Sequence, residues 1–209
     1  GLPAAGSNML TPIAAAFVTY IVASYGAEAV AAWGVGNRLE SIASIVVLAL
    51  SMSLPPFISQ NLGAAQVQRI FDSYQLCIKF VLVWQLLVFA LLALASPYIA
   101  STFAEEAAVA DIITLFLLIV PLGYGLQGII ILTNSSFNAM HRPMAAMWLS
   151  IIRLFVCYIP ITALGSYWFG LEGLFWGCVI ANVIAAAVSY FWFNRALNIE
   201  RSHCHIQAE

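Results

Sequence analysis

Residues 74 to 95 read YQLCIKFVLVWQLLVFALLALA, and Lys79 is the only charged side chain among them. A run of this length matches the roughly 20 residues that an α-helix needs to cross the hydrocarbon core of a bilayer. It shows no alternation at period 2, and a segment in lipid must satisfy its own backbone hydrogen bonds, so it reads as a helix. Similar runs lie near 4–24, 31–58, 108–133, 144–164 and 171–193. The whole chain has the same character, with 63% hydrophobic and 8% charged residues and a mean hydropathy of +0.97. Its 7 Lys+Arg and 9 Asp+Glu are too few to cover the outside of a water-soluble fold. The predicted fold is therefore all-α: a polytopic membrane protein with a six-transmembrane-helix bundle over 1–195 and a cytoplasmic tail over 196–209. No polar linker marks a second domain.

The connections carry charge in alternation. Arg69 and Lys79 flank the second, His141 and Arg142 lie in the fourth, and Arg195 and Arg201 follow the last span. The others carry Glu28, then Glu105, Glu106 and Asp111, then Glu172. Short loops rich in Lys and Arg stay on the cytoplasmic side, so both ends of the chain are expected there, in the cell (inner) membrane. Trp33, Trp148, Trp168 and Trp192 fall near span ends, where interfacial anchors belong. AAQVQRIFDSY, residues 64–74, predicts a short interfacial helix, and Gly63 a helix stop. The opening GLPAAGSNML has the features of a helix start inside a longer chain rather than of a signal peptide.

Several chemistries are set aside. A net charge of −2 with scattered basic residues offers no stripe for nucleic acid. GxSxG and HExxH are absent, and His141, His203 and His205 lie outside the spans, so no enzyme is expected. The cysteines at 77, 157, 178 and 204 show no CxxC spacing, His203-Cys204-His205 reads as an incidental cluster, and neither metal nor cofactor is expected.

Polar groups at membrane depth need a partner or a water-filled cavity. Arg38 lies about 10 Å below the outer end of the second span. Glu40 points about 200° away from it, so each needs its own surroundings. Arg153 poses the same problem in the fifth span. Asn8 and Thr11 share a face of the first span, Gln127 and Asn134 belong to the fourth, and Asn182 to the sixth. Bends are expected at Pro55-Pro56 and at Pro121 with Gly123 and Gly125. Interrupted helices near the midplane recur in secondary transporters.

The order of several stretches resembles the multidrug and toxic compound extrusion (MATE) transporters: GLPAA, GAEAVAAWGVGNRLESI, SLPPFISQNLGAA, FNAMHRPMAAMWLSIIR and FGLEGLFWG. The resemblance implies two six-helix bundles around a central cavity, with this chain the second bundle and its partner the missing N-terminal six-helix half. It implies cation-coupled (Na⁺ or H⁺) export of amphipathic, cationic small molecules. The cavity wall would come from the first, second and fourth spans, with Arg38 and Glu40 near its outer mouth. Thr11 and Gln127 align with carboxylates proposed to bind the coupling cation in the NorM-type branch. Both are neutral here, which leaves the ion site to Glu40 or to the absent half. Two alternatives stay open. A lipid-linked oligosaccharide flippase would hold pyrophosphate with more cations than Arg38 and Arg153, and a non-transporting scaffold or truncated gene product would need no ion site.

Overall fold

The computed structural model describes residues 2–206. Every element is helical: α1 (Leu2–Ala23), α2 (Ala27–Ala43), α3 (Ile45–Gly63), α4 (Val67–Phe103), α5 (Ala107–Ile119), a 3₁₀ turn (Val120–Gly123), α6 (Tyr124–Ala139), α7 (Pro143–Ile151), a π-helical stretch (Ile152–Tyr158) and α8 (Ile159–Ile206). These join into six passes. α2 and α3 form one and α5 and α6 another. α7, the π turns and 159–169 form the fifth. At Gly170, with φ 70° and ψ −150°, the chain reverses into the sixth. A Cβ on Gly165 would strike the carbonyl oxygen of Gly173, so the two arms cross with only backbone between them. The chain is an integral membrane protein, a six-helix bundle with extensive apolar surface on its outside.

The turns at one end share a device. In α3–α4 the amide of Gln66 donates to Asn61 O (2.8 Å) and that of Ala65 to Leu62 O (3.1 Å); in α6–α7 Arg142 donates to Phe137 O (2.9 Å) and His141 to Asn138 O (3.2 Å). Both are Schellman closures with the left-handed residue at Ala65 (φ 56°) or His141 (φ 58°), positions that glycine usually takes. α3 does end at Gly63, yet the left-handed residue lies two positions later. Arg142 pairs with Glu200 at 3.3 Å, and Arg201 bonds Gln68, so the basic connections and the end of the chain converge. At the opposite end Tyr25 OH bonds the Ser166 hydroxyl, near the Gly170 reversal.

Several boundaries differ from expectation. The interfacial helix over 64–74 does not form as a separate element. Val67, Ile70 and Tyr74 are buried at helical spacing, so this segment packs on the bundle as the start of α4. α4 has 37 residues, about 55 Å, and outruns a hydrocarbon core of about 30 Å. The second span breaks at Ser44, and the carbonyl of Ala43 there accepts from Gln85 Nε2 (3.1 Å). Helical structure continues through Pro55 and Pro56. Pro55 cannot donate to Ser51 O, and the Ser135 hydroxyl takes up that carbonyl instead. Residues 196–206, expected as a tail, continue α8; positions 207–209 and the His205 side chain lie outside the described residues.

Two apolar cores result. One gathers Trp33, Phe116 and Phe175, with Trp33 stacked on Phe175 at 5.9 Å and edge-on to Phe116 at 5.6 Å. Trp33 is therefore a buried packing residue rather than an interfacial anchor, whereas Trp148 and Trp168 are exposed. Gly36 lets α2 approach here, since a Cβ would enter the Phe116 ring. The second core gathers Tyr74, Phe137, Phe193 and Ile130 between α3, α4, α6 and α8.

Candidate functional site

A cavity of about 410 Å³ opens between α1, α2, the 3₁₀ turn, α6, the π-helical stretch and the second arm of α8. α2 and its C-terminal Ser44 supply one continuous stripe: Trp33, Asn37 and Ser41 follow at four-residue spacing, with Glu40 and Ser44 beside them, so they share a face. Thr11 and Ala15 come from α1, Gln127 from α6, and Cys178 and Asn182 from α8. Each breach of α-helical geometry nearby has a cause. Pro121 removes a donor and sits in the 3₁₀ turn, where a Cβ on Gly123 would approach Asn182 Nδ2 to 3.1 Å. Pro160 follows the π-helical stretch, whose widened turns carry Arg153, Leu154 and Tyr158 into the wall. Single π turns inside α-helices are frequent at functional sites.

The charged groups define the chemistry. Glu40 and Arg153 face the same cavity, within electrostatic reach of each other and with the Gln127 side chain beside the carboxylate. They do not form a direct ion pair; the ion pair among the described residues is Arg142–Glu200. A carboxylate, hydrogen-bonded by Gln127, and a guanidinium thus face one open volume, framed by the amides of Asn37 and Asn182 and the rings of Trp33 and Tyr158.

Of the sequence candidates, Thr11, Glu40, Gln127, Arg153 and Asn182 meet in this cavity. Arg38 does not: it is exposed on the other side of α2, as its 200° offset from Glu40 requires. Asn8 is exposed one turn from Thr11 and off the lining. Asn134 turns to α7 instead, donating to Ser150 Oγ at 3.3 Å. Considering polar residues one at a time misses Asn37, Ser41 and Ser44. Asn37 and Ser44 lie three and four residues from Glu40, and Ser41 lies four from Asn37; this helical spacing is the signal that marks them.

Comparisons with known proteins establish the family and the fold. The MatE family model matches residues 3–164. An "FAD transporter" of Shewanella oneidensis is 40% identical over 92% of this chain and 43% of its own length. Multidrug export protein MepA of Staphylococcus haemolyticus is 24% identical, over 91% of this chain and 42% of its own. The crystal structure of the Vibrio cholerae MATE transporter VcmN in the bent form superposes with a TM-score of 0.92 at 38% identity, covering 95% of this chain and 45% of that one. The chain thus spans a little under half the length of these relatives. It belongs to the MatE family and has the fold of one six-helix half of a MATE transporter.

Proposed function

We propose that this chain forms the second half of an exporter of amphipathic organic compounds in the cell (inner) membrane, driven by influx of Na⁺ or H⁺, with its basic end cytoplasmic. The observation that carries the reading is the meeting of Glu40 and Arg153 in one cavity without a direct ion pair. Polar groups at this depth are tolerated where they line a water-filled passage. The arginine favours a substrate bearing phosphate or carboxylate as well as rings, since a guanidinium meets such groups with two parallel hydrogen bonds. A flavin dinucleotide has that chemistry, and the relative at 40% identity is named for FAD. Organic cations are the second reading, favoured by Glu40 with Trp33 and Tyr158 in the wall, where cation–π attraction operates. Coupling-ion binding falls to Glu40 or to the other half, because Thr11 and Gln127 carry no charge.

Efflux of FAD and of ethidium by the complete protein, with sodium and pH gradients collapsed separately, tests these readings. Arg153→Gln is expected to lower FAD efflux by about tenfold or more, the loss of a charge-assisted contact, while sparing ethidium. Glu40→Gln lowering ethidium efflux alone would favour the cation reading. Unchanged efflux of both compounds in both variants would remove this cavity from transport.

A further inference from the structure

A second depression, about 470 Å³, lies on the outer surface at the basic end of the bundle. It is formed where the start of α7 meets the late turns of α8, away from the transport cavity. Arg142 and Arg195 stand at its rim, and Val188, Phe191 and Trp192 form its wall. Val188 precedes Arg195 by seven residues, so the apolar wall runs about 10 Å from the cationic rim toward the middle of the membrane. Phe191 is 70% exposed, and Trp192 is held in place by its edge contact with Phe137 at 5.8 Å. Glu200 takes one nitrogen of Arg142, leaving the rest of that fork open, and Arg195 has no carboxylate in ion-pair range among the described residues. Two guanidinium groups against one carboxylate leave the rim net positive.

A cationic rim above an apolar channel aligned with the bilayer normal has the shape and polarity of a phospholipid. Basic pockets between spans at the cytoplasmic face are recognised sites for anionic headgroups. We propose that this groove holds one anionic phospholipid, its phosphate between Arg142 and Arg195 and an acyl chain along Val188, Phe191 and Trp192. A free phosphate would have no use for the aromatic wall. The excess positive charge selects an anionic headgroup over a zwitterionic one. The proposal rests on the membrane fold and not on the transported substrate.

The complete protein, purified in detergent and stripped of lipid, is to be titrated with phosphatidylglycerol, with phosphatidylethanolamine of the same acyl chains and with inorganic phosphate, and followed by native mass spectrometry. One phosphatidylglycerol is expected to be retained, and Arg195→Gln is expected to weaken it about fivefold, the value of one surface arginine. Arg195→Lys should keep most of the binding, and Arg69→Gln, away from the groove, should keep all of it. Arg195 is exposed, so its replacement leaves the fold intact, and thermal midpoints check this. Equal retention of the two lipids, unchanged retention in Arg195→Gln, or saturable binding of phosphate without lipid would each overturn the proposal.

Discussion

The polar groups of the second core and those of the Glu40–Arg153 cavity lie in the same bundle but are treated differently. In the core, Thr133 Oγ1 donates to Ile129 O at 2.7 Å, which commits its proton, so Tyr74 OH must donate to Thr133 at 2.7 Å. At the edge of this core, partly buried Gln75 donates through Nε2 to Tyr190 OH (2.8 Å), and Ser59, on the surface, donates through Oγ to Ala139 O (3.0 Å). These contacts join one helix to another. In the cavity, Glu40 of α2 is held by the Gln127 side chain of α6, while Arg153 and Asn182 line the open volume, and the backbone around them departs from the α-helix twice. Low dielectric makes an unpaired polar group costly, so contacts such as Tyr74–Thr133 tie helices together, while the cavity groups face open volume; outside the cavity lining, Gln85 Oε1, Tyr124 OH, Asn134 Oδ1 and Asn194 Oδ1 are buried without a partner among the described residues. Facing an open volume, more than residue type or pairing alone, sets the cavity groups apart.

The largest effect should come from forcing the closed core apart. Gly128 of α6 lies so near α4 and α3 that a Cβ would enter Val81 Cγ1 and touch both methyls of Val47. Gly128→Leu must push α6 away from both helices at once. Overpacking of this kind destabilises by about 1–3 kcal/mol or more. The expected result is loss of monodisperse protein on gel filtration in detergent, whatever the substrate. Gly34, with nothing within 4 Å of its missing Cβ, is the internal control, and Gly34→Ala should behave as the parent protein.

A smaller and more pointed contrast removes one polar group from each region. Thr133→Val keeps the shape of the side chain but leaves Tyr74 OH buried without its acceptor. The thermal midpoint of the complete protein should fall, by the equivalent of about 1 kcal/mol, with transport per folded molecule retained. Asn37→Ala in the cavity leaves the nearby hydroxyl bond intact, because Ser41 Oγ donates to the Asn37 backbone carbonyl and not to its amide. Its midpoint should hold while transport falls. If Asn37→Ala proves the more destabilising of the two, the division between closed and open polarity fails.

Legibility in the sequence follows from which interactions act locally. Apolar runs long enough for lipid are a property of sequence alone, so the six passes and the family resemblance can be read from the residues themselves. Glu40, Arg153, Thr11, Gln127 and Asn182 stand out because polar side chains are rare in such runs. Contacts between distant segments leave no such mark. Nothing near Gln85 announces that its amide caps the Ala43 carbonyl, which belongs to another helix. The break at Ser44 has no proline or glycine to mark it, whereas the prolines at 55 and 56, where a bend is expected, leave the helix uninterrupted, with Ser135 of α6 taking up the Ser51 carbonyl. Trp33 resembles an anchor because its sequence position near a span end does not reveal the facing rings of Phe116 and Phe175. Glycines are ambiguous for the same reason: Gly125 and Gly128 have the look of weak points in a helix, and they mark close approach to α4.

The smallest effect is expected where polarity is neither enclosed nor facing the cavity. The Arg142–Glu200 pair spans 3.3 Å, with 35% and 28% of the two side chains exposed. At that exposure water screens the attraction, and holding two long side chains in one geometry offsets much of the remainder, so Glu200→Gln should change stability by less than about 0.5 kcal/mol. It leaves Arg142 free, however, and so makes the nearby groove more positive. A midpoint unchanged within error together with tighter phosphatidylglycerol retention would place this pair outside the closed core, as its exposure implies. A drop comparable to that of Thr133→Val would mean that the bundle is clamped at its basic end by charge, and the contrast between enclosed and open polarity would then need a third, interfacial category.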